Sequence, residues 1–262
     1  HTRYGTVTGV QTCALPIFQW TCDNNMKFSE GKSQLIIFGA PKIPVNLSVG
    51  HDQLTPSDVV RDLGVMVDKK LLFRDHLNML LTKANSMVFM FKNAFRTRNT
   101  EVMKNYYQTH IKSAILYASQ AWLRYDSVTF KTLDKIDRKF WKLSPTQRGK
   151  VPTGTLSLVK EALLNDIRFF KSMHDNRTSL NFSDYFQFIA HTRNTRSSAQ
   201  GMLKAPNFKK EVRRHSFSCR LPGLFNRVVY ADFALNLPHN KFIDTIKAKL
   251  LSFNPFSLFP II

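Results

Sequence analysis

From Asp75 to Phe95 the apolar positions Leu77, Leu80, Leu81, Ala84, Met87, Val88, Phe91 and Phe95 recur at three- and four-residue intervals. Asn78, Thr82, Asn85, Lys92 and Asn93 fall between them, and this spacing predicts an amphipathic helix. After the polar turn Arg96-Thr97-Arg98-Asn99-Thr100 a second stripe follows, made of Met103, Tyr106, Tyr107, His110, Ile111, Ala114 and Tyr117. On such a stripe His110 reads as a core histidine. A third helix is expected from about Ser127 to Leu143, with Phe130, Leu133, Ile136, Phe140 and Leu143 inward and Lys131, Lys135, Arg138, Lys139 and Lys142 spread around them. The prolines and glycines between 144 and 154 mark a break. Beyond it Val159, Ala162, Leu163, Ile167, Phe170 and Met173 define another helix, whereas Asp175 to Arg214 carries a weaker pattern.

The strand signal lies earlier, within Lys32 to Leu77. Gln34 to Phe38 is a short apolar run closed by Gly39, Ile43 to Val49 alternates loosely, and Val59 to Val67 carries a kink at Leu63-Gly64. About three antiparallel strands are expected. The fold class is therefore α+β, a small antiparallel sheet followed by a mainly α-helical region.

Charge changes the picture most. Against 43% hydrophobic residues stand 38 Lys+Arg and 18 Asp+Glu, a net charge of +20. A polyanionic partner offsets that self-repulsion, with nucleic acid ahead of an anionic membrane. Cys13, Cys22 and Cys219 are too few and too scattered for a disulfide framework or a zinc site, which suits a reducing compartment. No apolar run reaches the roughly 18 residues of a membrane span. The C-terminal tail, broken by Asn254, Pro255 and Pro260, reads as docking or fraying. No GxxxxGK[ST], HExxH, GxSxG or deaminase motif occurs. Asp68, Asp75 and His76 could be imagined as a metal site, but a helix start with Asp75 complementing the dipole is the simpler reading. N-x-[ST] matches at Asn46, Asn176 and Asn181 carry no weight without a secretory signal.

A run of short motifs adds a family resemblance. Lys32-Ser33, Phe38-Gly39, Asp62-Leu63-Gly64-Val65, Asp68, Leu72, Phe73 and His76 stand in the order found in non-LTR (LINE-type, jockey-like) retrotransposon reverse transcriptases just after their catalytic aspartates. Trp20, Asn25 and Met26 before them also match, as do Lys83 to Asn85 and the LYASQAW string from Leu116 to Trp122. Ser29 stands where the family commonly has Asn, and the later Phe225-Asn226, Leu237-Pro238 and Phe242 to Leu250 follow the family layout at wider spacing. The resemblance implies the end of a palm over 18–73, a helical thumb over 74–150 and a C-terminal helical region over 151–262. It makes Leu63 and Gly64 part of a primer grip and sets Lys32 near a triphosphate.

In that family two aspartates of an (F/Y)-A-D-D turn hold Mg²⁺. Here Tyr230-Ala231-Asp232-Phe233 supplies one aspartate, far downstream, and is read as a decoy. Residues 1–17, with VTGVQTCALPI, resemble translated sequencing adapter and are expected to add nothing to fold or function. The expectation is thus a reverse transcriptase fragment truncated on its 5′ side. It has no catalytic residues or cofactor of its own, and Mg²⁺ belongs to the full-length polymerase. Its expected partners are RNA and DNA as a primer–template duplex and the missing palm and fingers of the same polyprotein, in cytoplasm and nucleus. Lys69, Lys70, Arg74, Lys83, Lys92, Arg96 and Arg98, with Lys32, are the candidate phosphate contacts. A free-standing basic helical module that binds RNA or DNA, and a decayed reading frame without function, are the alternatives.

Overall fold

A computed structural model describes residues 19–26, 29, 32–39, 47–49, 52–189, 201–229 and 234–259. The adapter-like residues 1–17, Ile43 and the Tyr230 to Phe233 motif lie outside the described residues. Two compact units divide the chain. One holds the described residues up to Asp62 together with Val67–Lys70, and the other holds Leu63–Met66 and those from Leu71 on.

In place of about three paired strands, the described residues form two separate two-stranded sheets. β1 (Leu47–Val49) runs antiparallel to β2 (Asp52–Leu54), with Leu47 opposite Leu54 and Ser48 opposite Gln53. The apolar run at 34–38 forms no strand. Among the described residues it makes a single bridge, from Leu35 to Pro56, a residue without the N–H of a regular ladder. β3 (Val59–Asp62) and β4 (Val65–Asp68) form the second sheet. Leu63-Gly64 is therefore a hairpin turn and not a kink within one strand. Leu63 (φ 44°) and Gly64 (φ 90°) both have positive φ, as a two-residue type I′ turn demands. Leucine occupies that region at a cost of about 1 kcal/mol or more.

The second unit is helical. α1 (Arg74–Ala94) buries Leu77, Leu80, Ala84, Val88 and Phe91 as its period requires, and also His76. α2 (Thr100–Tyr106) starts at Asn99, whose side chain accepts from the Glu101 amide. It passes into a π-helical stretch, Tyr107–Lys112, before closing at Ser113–Ile115. The wider turn re-phases the stripe, so that Met103, Tyr107, Ile111 and Ile115 are buried. His110 is exposed, stacked on Tyr106 at 4.5 Å and bonded to Thr109, so the expectation of a core histidine is overturned by the extra residue per turn.

α3 (Ser119–Trp122) and α4 (Ser127–Trp141) follow, the latter capped by Asp126 on the Thr129 amide. α5 (Leu158–His174), capped by Ser157, is the centre of the unit and packs against α3, α4, α8 and α9. Leu158, Ala162, Leu163, Leu164, Ile167, Phe170 and Met173 are all fully buried. Truncating one of these, as in Leu163→Ala, removes about 2–5 kcal/mol. The loop at 144–154 does not separate compact units, since α4 and α5 pack on each other.

Two short helices, α6 (Phe182–Tyr185) and α7 (Glu211–Arg214), precede α8 (Phe217–Val228), which carries Pro222 inside it. Phe225 of α8 enters the core beside Phe170, and Asn226 clamps both backbone groups of Leu203 at 2.9 Å. The last α-helix among the described residues is α9 (His239–Ser252). After it the tail docks: Pro255 is buried and the rings of Phe256 and Phe259 lie against Phe130. Among the described residues no helix is long and apolar enough to cross a membrane.

Candidate nucleic-acid interface

A column of exposed basic residues lies along α4. Lys131, Lys135, Arg138, Lys139 and Lys142 are spaced by four, three, one and three residues, which sets them on one side of a helix with 100° per residue. All five are exposed, while Phe130, Leu133, Ile136 and Phe140 are buried on the other side. Asp134 pairs with Arg138 at 2.8 Å, and Lys139 Nζ donates to Asn85 Oδ1 of α1 at 2.6 Å. The following loop folds back on the helix end, its Gly149 amide donating to the Trp141 carbonyl at 3.1 Å. Gly149 has φ 90° there, a conformation that favours glycine, and a Cβ would stand 3.2 Å from Lys142 Cγ. The fold-back adds the exposed Arg148 and Lys150 to the same end of α4.

α1 is different. Its solvent side carries neutral Asn78, Thr82, Ser86 and Asn93 with the exposed Phe89 and Met90. Arg74 and Lys92 are eighteen residues apart, five full turns, and share one flank. Lys83 is nine residues from each, half a turn round, so it stands on the opposite flank. Arg96 is exposed beyond the helix end. Arg98 is committed to the fold: it donates to the carbonyls of Lys92, Phe95 and Thr97 and lies over the Phe91 ring at 5.4 Å. It serves as a C-terminal cap for α1.

In the first unit Lys32 and Lys70 are exposed, and Lys69 is exposed but paired with Asp58 at 2.7 Å. The Lys70 amide donates to Asp68 Oδ1 at 2.9 Å.

Around Leu63 and Gly64 the structure brings separate sequence motifs together. The Met66 amide donates to His76 Nδ1 at 3.3 Å, and the His76 ring lies 5.1 Å from that of Trp122. A Cβ on Gly64 would sit 3.7 Å from Tyr117 Cε1. Arg124 Nη1 donates to the Leu71 carbonyl at 3.0 Å. Leu63, Leu71, Phe73 and Ala118 all hold positive φ near this junction, a concentration of strained backbone that packing must maintain. Leu63 itself is 85% exposed.

Because His76 Nδ1 accepts, the imidazole is neutral with its proton on Nε2. Burial, and then the charge of Lys83, push its pKa down to about 4. That bonding takes the lone pair a metal would need, so the Asp68, Asp75 and His76 metal reading is not supported. Asp75 instead lies in the first turn of α1, where a carboxylate favours the helix dipole. Among the described residues no group of three or more His, Cys, Asp or Glu could hold a metal ion.

The phosphate contacts expected on α1 thus lie on its two flanks, and none of the expected contacts falls on the α4 column. The signal was present in the spacing of its five basic residues. The contribution of Arg148 and Lys150 was not, because it depends on the loop folding back. No family model, curated protein or solved structure matches this chain.

Proposed function

We propose that the helical unit holds a nucleic-acid duplex by its phosphates, as the thumb of a non-LTR reverse transcriptase would hold primer–template. The carrying observation is the α4 column of Lys131, Lys135, Arg138, Lys139 and Lys142, with one acid, Asp134, among them. A row of cations one helical turn apart meets successive phosphates without reading bases, so binding is independent of sequence. In this reading RNA and DNA are the partners, in cytoplasm and nucleus, and the exposed Leu63 at the hairpin tip faces the primer end. Metal chemistry is not this chain's part: Mg²⁺ and its aspartates belong to the palm and fingers it would work with.

Salt titration of duplex binding tests the proposal. Replacing Lys131, Lys135 and Lys142 together by Gln is expected to flatten the slope of log K against log salt by about 2.7, taking 0.9 per phosphate contact on B-form DNA. Replacing Lys83, Lys92 and Arg96 by Ala is expected to change it less, since Lys83 and Lys92 occupy opposite flanks of α1. An unchanged slope in the α4 variant would show a merely solvated face. Template-dependent nucleotide incorporation by the purified chain, surviving Asp232→Ala, would refute the division of labour.

A further inference from the structure

Away from the α4 column, the π-helical end of α2, the loop at 154–156, α5 and α9 line an open pocket of about 430 Å³. Its charged lining is Lys112, Arg168 and Lys247 against the single carboxylate of Glu161. That carboxylate is divided between two of the cations, Oε2 accepting from Lys112 Nζ at 2.8 Å and Oε1 from Arg168 Nη1 at 3.1 Å. The lining therefore keeps a surplus of two positive charges, the charge that a phosphate monoester carries with the opposite sign.

The donors are also set in place. Lys112 is buried, with its ammonium 5.2 Å from the centre of the Tyr107 ring. Arg168 Nη1 gives one hydrogen bond to Glu161 and a second, at 2.9 Å, to Asn165 Oδ1. Those two bonds hold the guanidinium plane. Among the described residues no acceptor takes its Nη2 or Nε, the edge that grips an oxyanion with two parallel bonds.

A bare phosphate would leave most of this cavity empty, since spaces of this size take ligands of drug or cofactor dimensions. The rest of the wall suits a flat, hydrogen-bonding body: Leu116 and Leu156 supply apolar surface, and Gln108 and Asn165 supply amides. We propose that the cavity binds a phosphomonoester carried on a nucleoside, either a free nucleoside monophosphate or the 5′-phosphorylated terminal nucleotide of a strand.

Calorimetric titration of the full chain at low salt tests this with AMP, adenosine, inorganic phosphate, and a dinucleotide with and without its 5′-phosphate. AMP is expected to bind at least about tenfold more tightly than adenosine or inorganic phosphate, the loss of one charged contact or of the base being worth that factor or more. Arg168→Gln and Lys247→Gln, at half-exposed and exposed positions, are each expected to weaken AMP by about tenfold with an unchanged thermal melt. The Lys131, Lys135 and Lys142 triple variant is expected to bind AMP like the wild type, which separates this site from the phosphate-backbone surface. Tighter binding of the 5′-phosphorylated dinucleotide than of AMP would assign the strand end, and the reverse order the free nucleotide. The proposal is overturned if neither phosphorylated ligand binds, if adenosine or inorganic phosphate binds as well as AMP, or if both single substitutions leave AMP affinity unchanged.

Discussion

Asp137 on α4 and Asp166 on α5 are buried to the same depth, at 1% and 0% exposure, and are held in opposite ways. Asp166 receives Arg220 Nε at 2.8 Å and Nη2 at 2.9 Å, and the Tyr125 hydroxyl at 3.0 Å. Two more Arg220 donors go to the carbonyls of His215 and Gln120. Asp137 has no such fork. It accepts from the Tyr107 hydroxyl and, at 2.9 Å, from the Leu158 amide, closing the start of α5. Hydrogen bonds alone do not offset the burial of a charge, and the Asp137 carboxyl is pushed up to about 7 chiefly by its burial. A bidentate guanidinium does offset it: despite burial the Asp166 carboxylate holds the Arg220 pKa above its ordinary value. One buried carboxylate thus depends on a partner, the other on pH.

Breaking the partnered carboxylate is expected to have the largest effect. Arg220→Met leaves Asp166 buried without its counter-charge and is expected to cost about 3–5 kcal/mol in urea unfolding. Asp166→Leu added to it is expected to recover much of the loss, because no uncompensated charge remains. If the double variant is no more stable than the single one, packing and not the buried charge sets the cost.

The unpartnered carboxylate is tested by pH. Its folded pKa of about 7 lies above the unfolded value of about 3.9, so its contribution is fully present below pH 4 and is lost as pH rises toward 7. The loss is expected to approach about 1.4 kcal/mol per pH unit within that window, and Asp137→Asn is expected to abolish that slope. His76 sharpens the contrast with the opposite sign. Its folded pKa of about 4 lies below the unfolded value of about 6.5, so its stabilisation is present above 6.5 and lost as pH falls toward 4. His76→Gln, which keeps an acceptor for the Met66 amide, is expected to remove that acid sensitivity. Between pH 4 and 6.5 the two groups oppose each other, and chemical denaturation of each variant separates them.

The smallest stability effect is expected at exposed charges. Replacing Lys131, Lys135 and Lys142 by Gln is expected to shift unfolding by no more than about 0.5 kcal/mol, because solvated side chains make no buried contact. A larger loss would mean that the α4 face supports the fold and not a ligand.

Much of this arrangement was legible along the chain. The expected spans 75–95 and 127–143 and the stripe at 159–173 mark α1, α4 and α5 to within a residue or two, because a helix repeats within a window of about ten residues. The α4 column, and the half-turn between Lys83 and Lys92, follow from the same arithmetic. Other features depended on contacts made at a distance. The π-helical stretch turned His110 outward although its spacing placed it inward, and Pro222 hid α8 from any propensity argument. A Leu at positive φ gave no sign of a hairpin, since the pairing of β3 with β4 holds it there. Asp166 and Arg220 are 54 residues apart, and Lys112 and Glu161 are 49 apart. The sequence by itself determined the long amphipathic helices α1, α4 and α5 and which residues carry charge. Only the tertiary structure decided which charges are buried together, because that depends on how helices pack and not on any period within them.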